Sequence, residues 1–441
     1  MTDLAPRPVP ATAVGPTATG SALAEPVRDG TIALVSPRFG PGVVGGAEAV
    51  LADTAFGLAA RGLPVEILTT CARDHFTWAN EFTPGTELAE GSSIDHPVLV
   101  RRFLVERDTP GTDRDRIGDR ILGGHHITIQ DQQRWMNDSL RSSGLWDHVF
   151  DHGHRYRALV FAPYMFWTTV AVSAIHPERT ILMPCLHDEP PAALDIFASM
   201  MNGAAGIWFL TDPERDLAHR LYQLPDRQAI VGASVETPSS YDPDRFRTEF
   251  GIEGPYVYYA GRREWGKGWD DLLATFGRYV ARRRGRPALR LVTSGVGHVD
   301  VPPGLTGDVI DVGLLTDQQR DDAMAGAEAY LQPSALESFS RTVLEAMAAS
   351  TLVVANGASA VVSWHVENAG AGLTYEGEAE LIQCLDFVTD QPAAAAALTV
   401  DGPAYVRDRF QIDGVIDRMV DSLDRWFPDG GGRRPATEVT R

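Results

Sequence analysis

Four short segments carry the residue types that phosphate and hydroxyl chemistry need. Lys267 is the only lysine among 39 basic residues. It lies in Gly261-Arg262-Arg263-Glu264-Trp265-Gly266-Lys267-Gly268, straight after the apolar run 256–260, which reads as a buried strand. Two fixed cations beside flexible glycines suit a diphosphate leaving group, on which negative charge grows as the bond to it breaks. Lysine offers a compact point charge that guanidinium does not copy, so the one lysine of an arginine-rich chain is informative. A solvated basic loop is the bland explanation.

The second segment is Glu337-Ser338-Phe339-Ser340-Arg341-Thr342-Val343-Leu344-Glu345, after the strand 330–332 and the turn Pro333-Ser334. Glu337 is expected in a loop and Glu345 on the helix that follows. A helix start offers backbone N–H donors to phosphate, and a carboxylate on such a helix can hold two ribose hydroxyls. The third, Cys185-Leu186-His187-Asp188-Glu189-Pro190, puts an imidazole and two carboxylates at the end of another strand, with His187 able to bond a sugar hydroxyl. The fourth is the glycine run 42–48, which includes Gly45, Gly46 and Glu48 and follows the first strand. Its glycines let backbone approach a ligand, although a tight turn without a ligand explains them too. GxGxxG is absent, against an ordinary dinucleotide enzyme.

Elements must hold these segments. Apolar runs at 31–37, 65–69, 158–162, 181–185, 207–210 and 229–231 alternate with amphipathic stretches such as 48–61, which implies a parallel, doubly wound sheet. A second series runs through 256–260, 289–293, 309–312, 330–332 and 352–355, with a helix at 269–282. Gly232, Pro238 and Pro243 place the linker within 232–250. The expected architecture is α/β, with two Rossmann-like doubly wound domains and a cleft between them, where such folds bind ligands. The reading divides the chain into a disordered tail at 1–29, an N-terminal acceptor domain at 30–235, a C-terminal donor domain at 236–411, a helix at 412–427 that crosses back, and a second tail at 428–441. The stretch 73–144 has no clear rhythm.

A formal net charge of -20 disfavours nucleic acid and anionic lipid as partners, and obliges any nucleotide site to supply local positive charge. The three cysteines, Cys71, Cys185 and Cys384, show neither metal spacing nor a disulfide framework. No signal peptide is visible. The uncharged stretch 158–175 contains Pro163 and several hydroxyl residues and reads as strand, turn and core helix rather than a membrane span. A reducing cytoplasm, in a bacterium, is the expected setting. Asp242-Pro243-Asp244 mimics a metal-binding D-x-D but reads as a turn, so no metal site is expected.

Taken in order, the motifs resemble the family 4 retaining glycosyltransferases of GT-B fold. Glu337 and Glu345 match the family's E-x7-E, flanked by Pro333-Ser334 and Glu345-Ala346-Met347-Ala348. Gly261-Arg262…Lys267-Gly268 resembles its GR…KG loop, and Gly45-Gly46-Ala47-Glu48…Leu58…Arg61-Gly62 its N-terminal run. The resemblance implies a metal-independent hexosyltransferase that moves a sugar, with retention, from a UDP- or GDP-linked donor to a hydroxyl of a glycan, lipid or secondary metabolite, without a further cofactor. It gives Arg262 and Lys267 the diphosphate, Glu345 the ribose and Glu337 the sugar, with His187 near that sugar. Gly45, Gly46, Gly261, Ser338, Phe339 and Ser340 would line the donor site, Val312 and Leu314 would lie by the base, and Glu48 and Asp188 on the acceptor side. Ser340 and Ser350 stand where the family usually has glycine, and Leu63 where it has histidine. The alternatives are a nucleotide-sugar epimerase, a phosphorylase, or a catalytically silent binding partner of the same fold. A phosphorylase would need a second lysine for pyridoxal phosphate, and a silent partner would not need all four of Arg262, Lys267, Glu337 and Glu345.

Overall fold

A computed structural model describes residues 26–43, 45–74, 79–91, 94–106 and 112–428. The two expected tails therefore lie outside the described residues, apart from 26–29 and Pro428. Val27 already packs into a core cluster.

The first half is built from β1 (Ile32–Val35), α1 (Gly46–Ala60), β2 (Val65–Thr70), β3 (Gly85–Gly91), β4 (Ile94–Phe103), α2 (Thr112–Leu122), α3 (Ile129–Asn137), α4 (Ser143–His152), β5 (Ala158–Phe161), α5 (Trp167–Val170), β6 (Thr180–Leu182), α6 (Asp195–Gly203), β7 (Gly206–Phe209), α7 (Asp212–Leu221) and β8 (Gln228–Ile230). Its sheet has the order β3-β4-β2-β1-β5-β6-β7-β8. Every pairing is parallel except that of β3 with β4. The order reverses between β1 and β5, so the loop after β1 opens at the switch point.

The second half contains α8 (Pro243–Phe250), β9 (Tyr256–Ala260), α9 (Trp269–Arg282), β10 (Arg290–Ser294), β11 (Val309–Gly313), α10 (Asp317–Ala325), β12 (Ala329–Gln332), α11 (Arg341–Ala348), β13 (Val353–Asn356), α12 (Ala360–Ala369), β14 (Leu373–Tyr375), α13 (Glu378–Asp390), α14 (Pro392–Ala397), α15 (Gly402–Phe410) and α16 (Ile412–Trp426). Its sheet is wholly parallel, in the order β11-β10-β9-β12-β13-β14. Here the switch falls between β9 and β12, and the loops after these two strands carry Lys267 and Glu337.

Strands buried on both faces explain the continuous apolar runs. β9 (YVYYA) is buried at all five positions. One cluster joins Leu34, Leu51 and Leu58 of the first unit to Tyr330, Phe339 and Leu344 of the second, through Val235 of the connecting segment and Met419 of α16. α16 buries Val415, Ile416, Met419, Leu423 and Trp426, one stripe at helical spacing. It packs on α1 of the first unit, and Trp208 Nε1 of β7 donates to Ser422 Oγ at 2.7 Å.

Several sequence expectations need correction. The strand expected at 181–185 ends at Leu182, because Pro184 has no N–H for a ladder and Cys185 turns to φ 52. The helix expected after 158–162 is only the single turn of α5, and no helix among the described residues is long and apolar enough to cross a membrane. The region without rhythm holds an antiparallel hairpin and two helices, and β14 was missed altogether. Asp242 accepts the Arg245 N–H at 3.0 Å and caps α8, so the D-x-D is a helix start inside the expected linker.

Ser350 follows α11 with φ 58. The Thr351 N–H reaches the Ala346 carbonyl at 2.9 Å and the Ser350 N–H reaches that of Met347 at 3.1 Å, a Schellman closure that favours glycine at position 350. An L-residue there costs roughly 1–2 kcal/mol, partly offset because glycine loses more entropy on folding. Ser350→Gly is therefore expected to stabilise the chain by about 1 kcal/mol, read as a higher urea midpoint at unchanged slope. A midpoint that stays or falls would show that the serine carries no strain.

Candidate active site

The loop after β9 climbs to Lys267 through a 3-10 turn, Trp265–Lys267, which ends at Gly268 with φ 69. A Cβ at Gly268 would stand 2.7 Å from the Pro333 carbonyl oxygen, so only glycine lets the β9 and β12 loops press together. Asn356 Nδ2 donates to that same carbonyl at 3.0 Å. Across this contact Lys267 Nζ donates to Glu337 Oε1 at 2.8 Å. Burial pushes the Glu337 carboxyl up, but the charge and hydrogen bond of Lys267, the His187 ring and the Ser334 hydroxyl outweigh it and hold the group below the usual range. Arg262 lies at the surface and pairs with Glu264 at 3.1 Å. Arg263 is buried, its guanidinium on the Gly295 carbonyl and the Asp311 carboxylate. Asp311 also accepts the Gly313 N–H at 2.9 Å, which fixes the loop after β11. Beyond it Val312 is half-buried, whereas Leu314 is 67% exposed.

His187 comes from the opposite sheet, on the loop after β6. Its Nδ1 lies 3.4 Å from Glu189 Oε1, and its charge, when protonated, is felt at Glu337. Glu189 accepts from the Tyr164 hydroxyl at 2.9 Å. Burial raises its carboxyl, but His187, Tyr164 and Lys267 together bring it below the usual range. Lys267, Glu337, His187 and Glu189 thus form one electrostatic cluster drawn from both sheets. Asp188 is not part of it. It is exposed and pairs with Arg220 of α7 at 3.2 Å.

The loop after β1 behaves differently from its sequence reading. A Cβ on Gly45 would lie 2.0 Å from Glu48 Oε2. That space is filled by the Glu48 carboxylate, which accepts from Arg38 Nε at 2.9 Å and is buried with it. The absent side chain at Gly45 makes room for this ion pair, and Glu48 turns toward Arg38. Gly46 has open space around its Cα, and Gly261 packs on the Tyr259 ring.

Segment 338–340 is fixed from three sides. Thr211 Oγ1, at the start of α7, donates to the Ser338 carbonyl at 3.1 Å and so ties the two units together. His365 Nε2 bonds the Phe339 carbonyl at 2.9 Å, and Nδ1 faces the Tyr405 hydroxyl at 2.9 Å. A carbonyl only accepts, so Nε2 carries the proton and Nδ1 accepts from the tyrosine. Burial lowers the His365 pKa to about 4 despite the Phe339 bond, which keeps the ring neutral. Ser340 precedes α11 with φ 62 and takes a bond from Gln332 Nε2 on its hydroxyl at 2.8 Å, and no side chain caps the helix. The first N–H groups of α11 therefore keep their capacity for an outside acceptor.

Glu345 sits on α11 as expected, buried, with Arg320 Nε 3.2 Å from Oε2. Oε2 has no hydrogen-bond partner of good geometry among the described residues. Arg341, beside it, reaches across to Asp53 of α1 at 3.0 Å, and Ser234 of the connecting segment donates to the same carboxylate at 2.9 Å.

Sequence reasoning placed Glu189 among the carboxylates of its loop without a role, and missed Glu214 and His365. Glu214 is wholly buried and accepts the backbone N–H groups of Leu186 at 2.7 Å and Leu210 at 2.6 Å, so it sets the backbone that leads into His187. Burial pushes its carboxyl up to about 8 against the lowering by four backbone donors. Its place three residues after Thr211, in a T-x-x-E capping pattern, was the readable signal. His365 left none. Among the described residues no three His, Cys, Asp or Glu side chains gather as a metal-ligand group.

Residues 254–388, which include the β9 and β12 loops, match the family model described as "Glycosyl transferases group 1". The chain is 26% identical over 273 residues to a 2-deoxystreptamine glucosyltransferase of Streptomyces kanamyceticus, covering 58% of this chain and 68% of that protein. Among solved structures it resembles sucrose-phosphate synthase from Thermosynechococcus elongatus, with a TM-score of 0.66 and 17% identity over 90% of this chain and 99% of that one. It also resembles Anabaena HepE, solved in complex with UDP-glucose, with a TM-score of 0.60 and 15% identity over 90% and 99%. The two Rossmann-like sheets thus form a GT-B fold, and residues 254–388 of its second half are similar to the glycosyl transferases group 1 model.

Proposed function

We propose that the chain is a retaining glycosyltransferase that moves a sugar from a nucleoside-diphosphate donor, UDP- or GDP-linked, to a hydroxyl acceptor. The observation that carries this reading is the Lys267–Glu337 contact of 2.8 Å at the switch point of the second sheet, within the field of His187 from the first. A cation on one loop and a carboxylate on its neighbour suit two adjoining parts of one ligand, the diphosphate and the sugar.

As the bond between the anomeric carbon and the β-phosphate oxygen breaks, charge collects on the diphosphate. Lys267, Arg262 and the uncapped start of α11 are the groups of this chain that oppose it. The departing phosphate oxygen takes the proton of the attacking hydroxyl on the same face, which gives retention without a dedicated base. Glu337 and His187 hold the sugar hydroxyls. Glu345, whose buried carboxylate is already paired with Arg320, takes the ribose. Incubation with a panel of nucleotide sugars, UDP-glucose first, tests the reading through released nucleotide and the anomeric configuration of the product. Release of nucleotide from none of them, with or without hydroxyl acceptors, would leave a binding partner rather than an enzyme.

Three results are expected. Lys267→Ala lowers kcat by about 10²–10³-fold, the cost of one preorganised electrostatic contact, and Lys267→Arg restores only part, because its planar fork cannot occupy the same point. A folded Ala variant with ordinary kcat would remove Lys267 from the leaving-group role. Excess EDTA leaves turnover unchanged, since side-chain cations meet the diphosphate; a loss restored by magnesium or manganese overturns this. Glu345→Gln weakens nucleoside diphosphate binding by about 1.5–3 kcal/mol, the worth of hydrogen bonds to a charged group, measured by calorimetry. Glu345→Ala in addition strips Arg320 of its buried partner and lowers unfolding stability by about 3 kcal/mol, so Gln is the cleaner probe.

A further inference from the structure

The loop after β6 brings two side chains together that the preceding reading uses unequally. The Glu189 N–H bonds the His187 carbonyl at 3.0 Å, a tight closure that sets both side chains on one side of the turn. Pro190 and Pro191 follow at once and open a 3-10 turn, which stiffens the far end. Glu189 then meets His187 Nδ1 at 3.4 Å and the Tyr164 hydroxyl at 2.9 Å, both through Oε1. Tyr164 is itself locked, buried edge-on against Phe197 with ring centroids 4.8 Å apart. The chain of contacts runs from a core aromatic pair, through a carboxylate, to an imidazole that is still partly exposed.

We propose that Glu189, held by Tyr164, is the positioning residue for His187: it accepts the Nδ1–H, fixes that tautomer, and presents Nε2 to the sugar as an acceptor. This rests on the glycosyltransferase reading for what Nε2 meets, but not for the contact itself. An ionised carboxylate only accepts, so a bond to it requires the proton on Nδ1, and the other nitrogen is left with a lone pair. Among the described residues the Nδ1 side faces the Glu189 carboxylate at 3.4 Å, whereas no ion pair or hydrogen bond engages Nε2. The tyrosine hydroxyl can only donate to this carboxylate, so it holds Glu189 in place without competing for the imidazole proton. Asp188, next in sequence to His187, cannot do this work because it is turned out to Arg220.

The test uses the full chain with 15N-labelled histidine. Among its 12 histidines, the His187 ring is assigned by its disappearance in His187→Asn. The wild-type ring is expected with the proton on Nδ1, and a wild-type ring with the proton on Nε2 overturns the proposal whatever the variants do. Glu189→Leu, of similar size but with no acceptor, should lose the tautomer preference and lower kcat by about 10²-fold, the cost of a misplaced contact group, with donor KM little changed. Glu189→Gln should restore both to within a few-fold, because an amide oxygen can accept the same two bonds. A folded Glu189→Leu protein with wild-type kcat and unaltered tautomer overturns the proposal. If no nucleotide sugar is turned over while the Nδ1 signature holds and is lost in Glu189→Leu, the positioning contact stands and the glycosyltransferase reading falls.

Discussion

The contact between Lys267 and Glu337 is the constraint around which the rest of the molecule is arranged. It can form only where two crossover loops meet, and they meet because the order of the second sheet reverses between β9 and β12. The loops approach so closely that position 268 has no room for a Cβ. A pair of opposite charges here is worth more than on the surface, since both groups are largely shielded from water. It also solves a problem of the whole chain. At a net charge of -20 the protein repels anions, and the one lysine supplies a local exception. Without a ligand, Glu337 and Glu189 balance that charge, so the site need not hold a bare cation.

The second dependence is between the units. Three ties cross from one unit to the other: Thr211 to the Ser338 carbonyl, Arg341 to Asp53, and α16 against α1, while Ser234 of the connecting segment steadies the same Asp53. The first two end on the segment that runs from Glu337 to Glu345. Any movement of one unit on the other therefore acts directly on that segment. Burial raises the Asp53 pKa, and Arg341 and Ser234 oppose the rise, so the carboxylate depends on the partners it joins. His365 completes the support from behind, as a neutral ring whose proton is committed to Phe339.

What the sequence made legible was local. Buried strands such as 256–260 are continuous apolar runs, and α9 was bounded correctly because Gly268 and the arginines at 282–284 mark its ends. The hairpin of β3 and β4 escaped because β3 lies at the sheet edge and reads GTELAEG, with too little burial to impose alternation. The role of Glu189 escaped for a different reason. Its meaning comes from Tyr164, 25 residues earlier, and from Lys267, 78 residues later, and no spacing rule links them. Asp188 and Glu189 are equivalent in the sequence, and only the turn decides which carboxylate faces inward. The glycines of 42–48 were read toward a ligand, but one of them answers to a buried ion pair.

The two serines at glycine positions show how far a family pattern can bend. Ser340 and Ser350 both keep the left-handed backbone that glycine would adopt freely, at φ 62 and φ 58. The backbone path is therefore set by something stronger than the local preference of one residue. At 350 it is the helix closure onto Ala346 and Met347, and at 340 it is the Gln332 bond together with the bonds that hold Ser338 and Phe339. Strain of this kind persists only where the surroundings over-determine it. Ser350 is exposed and gains nothing visible from its hydroxyl, whereas Ser340 is buried and exchanges part of its strain for a side-chain bond at the mouth of α11. That bond orients the residue just before the uncapped N–H groups, so at position 340 the departure from glycine is part of how the helix start is aimed.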